Sequence, residues 1–120
     1  MSVYPVLRYR DVGAAIDFLQ NAFGFRPVQV DEEGGTIVHA ELAYGDGMVM
    51  LGPAGDSVTP GWSYVVVEDA DAHYEQAKAA GAEITRPIED QDYGSRDYTA
   101  RDPEGNVWSF GTYRPSLAAE

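Results

Sequence analysis

The chain runs through one order of elements twice, with a period of about 58 residues. Val3 to Tyr9 reads as a strand. Asp11 then precedes Val12, Ala15, Ile16, Leu19 and Phe23, spaced to form one apolar helical face, and Gly24 is placed to end that helix. Phe25 to Val30 is β-like, Asp31 to Gly35 reads as a turn, Thr36 to Tyr44 alternates, and Gly45-Asp46-Gly47 leads into a returning strand from Met48 to Leu51. After a connector rich in Gly, Pro, Ser and Asp, the order restarts. Trp62 to Val67 stands where Tyr4 stood, Asp69 where Asp11 stood, and Gly81 near the equivalent of Gly24. Ala82 to Ile88 is β-like, Glu89 to Gly94 is a polar loop, and Ser95 to Arg101 pairs with Val107 to Tyr113 around Asp102-Pro103-Glu104-Gly105-Asn106.

Two βαβββ modules of this kind predict an α+β fold. Each sheet curls into a half-barrel with its helix outside, and a cup is left for a ligand. The expected layout is a single domain over 1–120, with module one at 1–53, a connector at 54–60 and module two at 61–120. An apolar content of 44% suffices for a core, while 20 acidic against 8 basic residues give a net charge of −12. That balance excludes a phosphate-binding stripe and hence nucleic acid. It keeps a chain soluble, and it also permits a cationic ligand, because negative walls concentrate cations. The absence of cysteine removes disulfides, thiolate metal sites and cysteine nucleophiles together. No apolar run approaches the ~20 residues needed to cross a bilayer, and the N-terminus lacks a signal-peptide core, so a cytoplasmic location without membrane partners is expected.

Catalytic motifs are scarce. There is no G-x-S-x-G elbow, and the paired glycines lie between strands rather than before a helix, where a phosphate loop would need them. His39 and Glu41 share one strand face and begin a metal-ligand set, yet they fall short of the three or four donors a stable site requires. His73, on the second helix, is read as a solvated residue. More prominent are the aromatic and Met residues around the inferred cup. Trp62, Tyr64 and Val66 share one face, Met48 and Met50 another, and Ser109, Gly111 and Tyr113 a third, while Trp108 and Phe110 are expected to face the helices as core. Aromatic walls suit a planar hydrophobic ligand, and Met adds an adaptable surface.

The two module openings, VLRYRDVGAAIDFLQNAFGF and SYVVVEDADAHYEQAKAAGAEI, and the ending RDPEGNVWSF resemble the vicinal oxygen chelate superfamily over nearly the whole chain. That group includes glyoxalase I, extradiol dioxygenases, fosfomycin-resistance transferases and bleomycin-binding resistance proteins. In its metal-dependent members the ligands come from the first, fourth, fifth and last strands. The resemblance puts Tyr4, Met50, Trp62 and Ser109 at those positions, a set that cannot hold a divalent metal of the usual N/O kind. It therefore implies no metal, no other cofactor and no glyoxalase or dioxygenase chemistry.

The run YGSRDYTARDPEGNVWSF is more specifically similar to the metal-free bleomycin-binding proteins, which are acidic, domain-swapped dimers holding the drug between subunits. On that match Tyr93 takes the place of a ligand-stacking Trp, Arg96 and Asp97 match the following polar pair, and Tyr98 a Phe. The expectation is a homodimeric, non-enzymatic binder that sequesters an aromatic or hydrophobic natural product or antibiotic. Trp62, Tyr64, Tyr93 and Tyr98 would enclose the ligand, with Met48, Met50 and Tyr4 as walls and His39, Glu41 and Ser109 as hydrogen-bonding groups. Two alternatives stand beside it: a metal-dependent lyase, isomerase or dioxygenase using His39 and Glu41, and an oligomerisation domain whose cup is filled by its own side chains.

Overall fold

The computed structural model describes residues 2–56 and 59–116, so Ser57 and Val58 of the expected connector lie outside the described residues. The elements come in the order β1 (Val6–Tyr9), α1 (Val12–Phe23), β2 (Arg26–Glu33), β3 (Thr36–Tyr44), β4 (Gly47–Pro53), β5 (Trp62–Val66), α2 (Ala70–Ala79), β6 (Glu83–Asp90), β7 (Arg96–Arg101) and β8 (Val107–Gly111). They form two four-stranded sheets of equivalent order, β1-β4-β3-β2 and β5-β8-β7-β6. In each, the outer strand that opens the module pairs in parallel with the strand that closes it, and the other ladders are antiparallel. The repeated βαβββ order is thus the observed architecture.

The punctuation works as the sequence suggests. Asp11 and Asp69 cap their helices by accepting from the amides of Ala14 and Ala72, each at 3.0 Å. Gly24 closes α1 in the left-handed region at φ 81°. The turn expected over Asp31 to Gly35 is shorter than the acidic run suggested. Asp31, Glu32 and Glu33 continue β2, paired with β3, and only Gly34 and Gly35 make the turn, both at positive φ (58° and 83°). A two-residue loop of that kind matches the twist of the strands it joins, so the ladder extends to its foot.

The two helix-bearing faces share one core. Phe23 at the end of α1 packs against Trp108 and Phe110 of β8, and α1 lies against α2. Trp108 and Phe110 are fully buried there, as their alternation implied. Within one chain the helices therefore lie between the sheets, and the opposite, open faces of both sheets point outward.

A polar latch fixes this arrangement. The Asp102 carboxylate accepts from the Tyr9 hydroxyl of β1 at 2.6 Å, the Trp108 indole N–H at 3.0 Å, and the amides of Glu104 and Asn106. From the same turn, Glu104 accepts from the amides of Arg10 and Asp11 at the start of α1, and the Asn106 side chain accepts from the Gly61 amide before β5. The turn that joins β7 to β8 is thereby also the clamp that ties module two to module one.

Candidate ligand-binding site

Side chains on the open face of the second sheet are set by register. Tyr64 lies beside Ser109, Ser109 beside Thr99, and Thr99 beside Arg86, with Trp62 one step along β5 and Asp97 one step along β7. A strand's alternation puts all six on the same side. Trp62 is 73% exposed, yet its indole N–H is held by the Ser109 hydroxyl at 3.0 Å. Large aromatic surface kept in water and fixed in place points to a partner surface rather than to core.

From Ser109 the hydrogen bonds continue without a break. Ser109 Oγ meets Thr99 Oγ1 at 2.9 Å, Arg86 Nη2 donates to Thr99 Oγ1 at 3.1 Å, and the same nitrogen meets Asp97 Oδ1 at 2.8 Å. Gln91 donates to that oxygen, and the Tyr93 hydroxyl donates to Asp97 Oδ2 at 3.1 Å. Asp97 is only 2% exposed. Burial pushes its carboxyl pKa up, but the hydrogen bonds from Arg86, Tyr93 and Gln91 outweigh this and hold it below the usual carboxylate range. Tyr64 donates to the Tyr113 carbonyl, and Tyr93 and Tyr113 meet edge to face with centroids 6.0 Å apart. Gly111 lets this corner close up, since a Cβ there would lie 2.7 Å from Asp97 Cβ and 2.8 Å from Tyr64 Oη. The result is a polar floor with Trp62 tethered at one end and Tyr93 at the other.

The open face of the first sheet is the milder of the two. Val6, Met50, Glu41 and Gln29 line up across its four strands, with Met48 on the next step of β4 and His39 on the next of β3. Met48 and Met50 are half-buried, and His39 Nε2 lies 2.9 Å from Glu41 Oε2. Tyr4 precedes β1 and is half exposed. The structure therefore places Trp62, Tyr64, Tyr93 and Ser109 together on the second sheet, and Met48, Met50, His39 and Glu41 together on the first. No strand of one sheet is paired with a strand of the other among the described residues.

Two expectations are corrected. Tyr98 is no wall of the cup. It lies on the helix-bearing face of β7, fully buried, with its hydroxyl 2.6 Å from His73 Nδ1. Its neighbour Asp97 faces the other way, because successive strand residues alternate. Arg96 shares the side of Tyr98 and forms a two-pronged pair with Asp71 of α2. His73, in turn, is not solvated but 7% exposed. Its Nε2 sits 2.7 Å from the Phe23 carbonyl, which can only accept, so Nε2 carries the proton and Nδ1 receives the Tyr98 hydroxyl. Ala70, His73 and Ala77 form the buried face of α2, a helical spacing that marks His73 as inward. Arg86, Gln91 and Thr99 had no sequence signal. Register shifts in the β6–β7 ladder on both sides of Arg86 decide where its guanidinium lands.

The model of the Glyoxalase/Bleomycin resistance protein/Dioxygenase superfamily matches residues 3–110. The chain belongs to this superfamily. An uncharacterized protein of Mycobacterium bovis is 32% identical over 121 aligned positions, spanning 89% of this chain and 80% of that one. Among solved structures, TioX from Micromonospora sp. ML1 superposes with a TM-score of 0.84 at 35% identity, covering 94% of this chain and all of TioX. A superfamily member from Sphaerobacter thermophilus superposes with a TM-score of 0.76 at 21% identity, covering 92% and 97% of the two chains, and shares the fold.

Metal-dependent branches of such a superfamily need a set of N/O donors. Tyr4, Met50, Trp62 and Ser109 do not fit that need: a thioether and an indole supply no oxygen or imidazole ligand, and the Ser109 hydroxyl is already engaged by Trp62 and Thr99. Among the described residues, no three His, Asp or Glu side chains are grouped to hold a metal ion.

Proposed function

We propose that this protein is a metal-free small-molecule binder that sequesters an aromatic or hydrophobic natural product or antibiotic. The observation that carries this reading is Trp62, mostly exposed yet tethered through Ser109 above a buried polar network. Indole surface held in place contributes stacking without first having to be ordered. Tyr64 and Tyr93 extend the platform, and Tyr113 flanks it.

A single open sheet face encloses only one side of a ligand. The reading therefore includes a homodimer in which the first sheet of one protomer covers the second sheet of its partner. Met48 and Met50 then form the facing wall, with His39 and Glu41 as its hydrogen-bonding groups and Tyr4 at its rim. The similarity to TioX, which spans both chains almost entirely, supports a protein of comparable build.

A thermal-shift screen of metal-stripped protein against aromatic antibiotics and divalent cations tests this. A ligand at a hundredfold excess over its Kd stabilises the native state by about 2.7 kcal/mol. The expected result is a shift with at least one aromatic compound and none with cations. Trp62→Ala and Tyr93→Ala each reduce that shift; Trp62→Ala leaves the unliganded melting temperature nearly unchanged, and Tyr93→Ala lowers it only by the loss of the hydrogen bond to Asp97. Stabilisation by a metal ion alone, or an antibiotic shift untouched by both substitutions, overturns the reading.

A further inference from the structure

The floor between Trp62 and Arg86 leaves one hydroxyl hydrogen without an acceptor. Ser109 Oγ accepts the Trp62 indole N–H, Thr99 Oγ1 accepts from Arg86, and the two hydroxyl oxygens are 2.9 Å apart. Each hydroxyl brings a single hydrogen, and one of the two spans the gap between them. If Ser109 donates to Thr99, the Thr99 hydrogen is left without a partner; if Thr99 donates, the Ser109 hydrogen is. The hydrogen bonds of the described residues include no acceptor for either. Both residues are more than nine-tenths buried, at 5% and 8% exposure, so a hydroxyl hydrogen left without a partner there is costly.

Charge around the pair narrows what belongs there. The Arg86 guanidinium is already answered by Asp97 at 2.8 Å and Glu89 at 3.2 Å. An added carboxylate would find no uncompensated cation and two nearby anions, in a chain of net charge −12. A neutral acceptor meets no such repulsion and uses the spare hydroxyl hydrogen.

We propose that the ligand stacked on Trp62 presents a neutral hydrogen-bond acceptor at its ring edge, a carbonyl oxygen or an aromatic ring nitrogen, to the hydroxyl pair of Ser109 and Thr99. This rests on the binding role proposed above and adds the chemical class. A purely hydrocarbon face leaves a buried donor unmet, and a ring-edge carboxylate is disfavoured by Asp97 and Glu89.

Three probes of one shape test it: quinoline, naphthalene and 2-naphthoate, titrated against the full chain. Binding is followed by the indole N–H resonance of Trp62, assigned by its loss in Trp62→Phe. In the double variant Thr99→Val/Ser109→Ala both probes lose what the Trp62 tether contributes, and quinoline affinity falls by about three- to tenfold more than naphthalene affinity, the range of one neutral hydrogen bond. Comparing each probe with itself cancels their different hydrophobicities. In the wild type, 2-naphthoate binds more weakly than quinoline. An unchanged quinoline affinity in the variant, an equal loss for naphthalene, or tighter binding of 2-naphthoate than of quinoline overturns the proposal. If none of the three moves the Trp62 resonance, the binding role itself fails. Should the double variant not fold, 15N-labelled quinoline on the wild type decides: its ring nitrogen shifts upfield on accepting a hydrogen bond, and no shift on binding refutes the acceptor.

Discussion

Replacing Tyr9 by Phe removes a single oxygen atom and with it a bond that joins the two modules. Tyr9 is 1% exposed and Asp102 is 3% exposed, and their 2.6 Å contact is a charge-assisted hydrogen bond shielded from water. Burial and then the adjacent Asp102 carboxylate push the Tyr9 hydroxyl pKa far up, so Tyr9 is the donor throughout the accessible pH range. In Tyr9→Phe the carboxylate keeps the Trp108 indole and the amides of Glu104 and Asn106, three of its four partners. The expected loss is therefore that of one bond to a charged group, about 2 kcal/mol, rather than the larger penalty of a stranded buried charge. For a domain of this size that corresponds to a Tm lower by about 6–10 °C. Urea unfolding followed by far-UV circular dichroism and by tryptophan fluorescence measures it, since Trp108 shares Oδ2 of Asp102 with Tyr9. A double-mutant cycle with Asp102→Asn then isolates the pair, with an expected coupling above about 1 kcal/mol. A loss below about 0.5 kcal/mol in Tyr9→Phe, with no coupling, would refute the view that this turn clamps the modules.

Acid sensitivity follows from His73. Burial pushes its pKa below the ordinary 6.5, against the opposing pull of the Phe23 carbonyl. The unfolded chain thus takes up a proton before the native one does. Stability from this group is fully present above pH 6.5, and it is lost as pH falls from there through the folded value. Unfolding free energies measured across that window for the wild type and His73→Gln should differ in slope, and equal slopes would remove His73 from the account. Gly111→Ala forces a methyl to within 3 Å of Asp97 Cβ and the Tyr64 hydroxyl. It should cost about 1–3 kcal/mol in urea unfolding and displace Tyr64, and a neutral effect would show that this corner of the site yields.

Much of the architecture was legible because it rests on local rules. Asp11 and Asp69 are cap residues followed by helical apolar spacing, the Gly-Asp-Gly and Asp-Pro-Glu-Gly-Asn runs are turn chemistry, and Trp108 and Phe110 alternate away from Ser109. The shared face of Trp62 and Tyr64 follows from strand parity in the same way, whereas the register of β5 against β8 brings Ser109 to them. Tyr98 was lost to this logic only because its place in a family pattern was read ahead of its parity: beside Asp97 on β7, the two cannot share a face.

What the sequence by itself determined is the double βαβββ order, and with it the superfamily, because caps, turns and periodicity act within a few residues. The tertiary structure alone decided that Arg86 reaches Asp97 across a shifted ladder, and that Asp102 receives Tyr9 from the other module. It also decided that His73 closes on the Phe23 carbonyl. Each of those contacts joins groups far apart in the chain or across an irregular register, where placement depends on how whole sheets and helices pack and no local spacing records it.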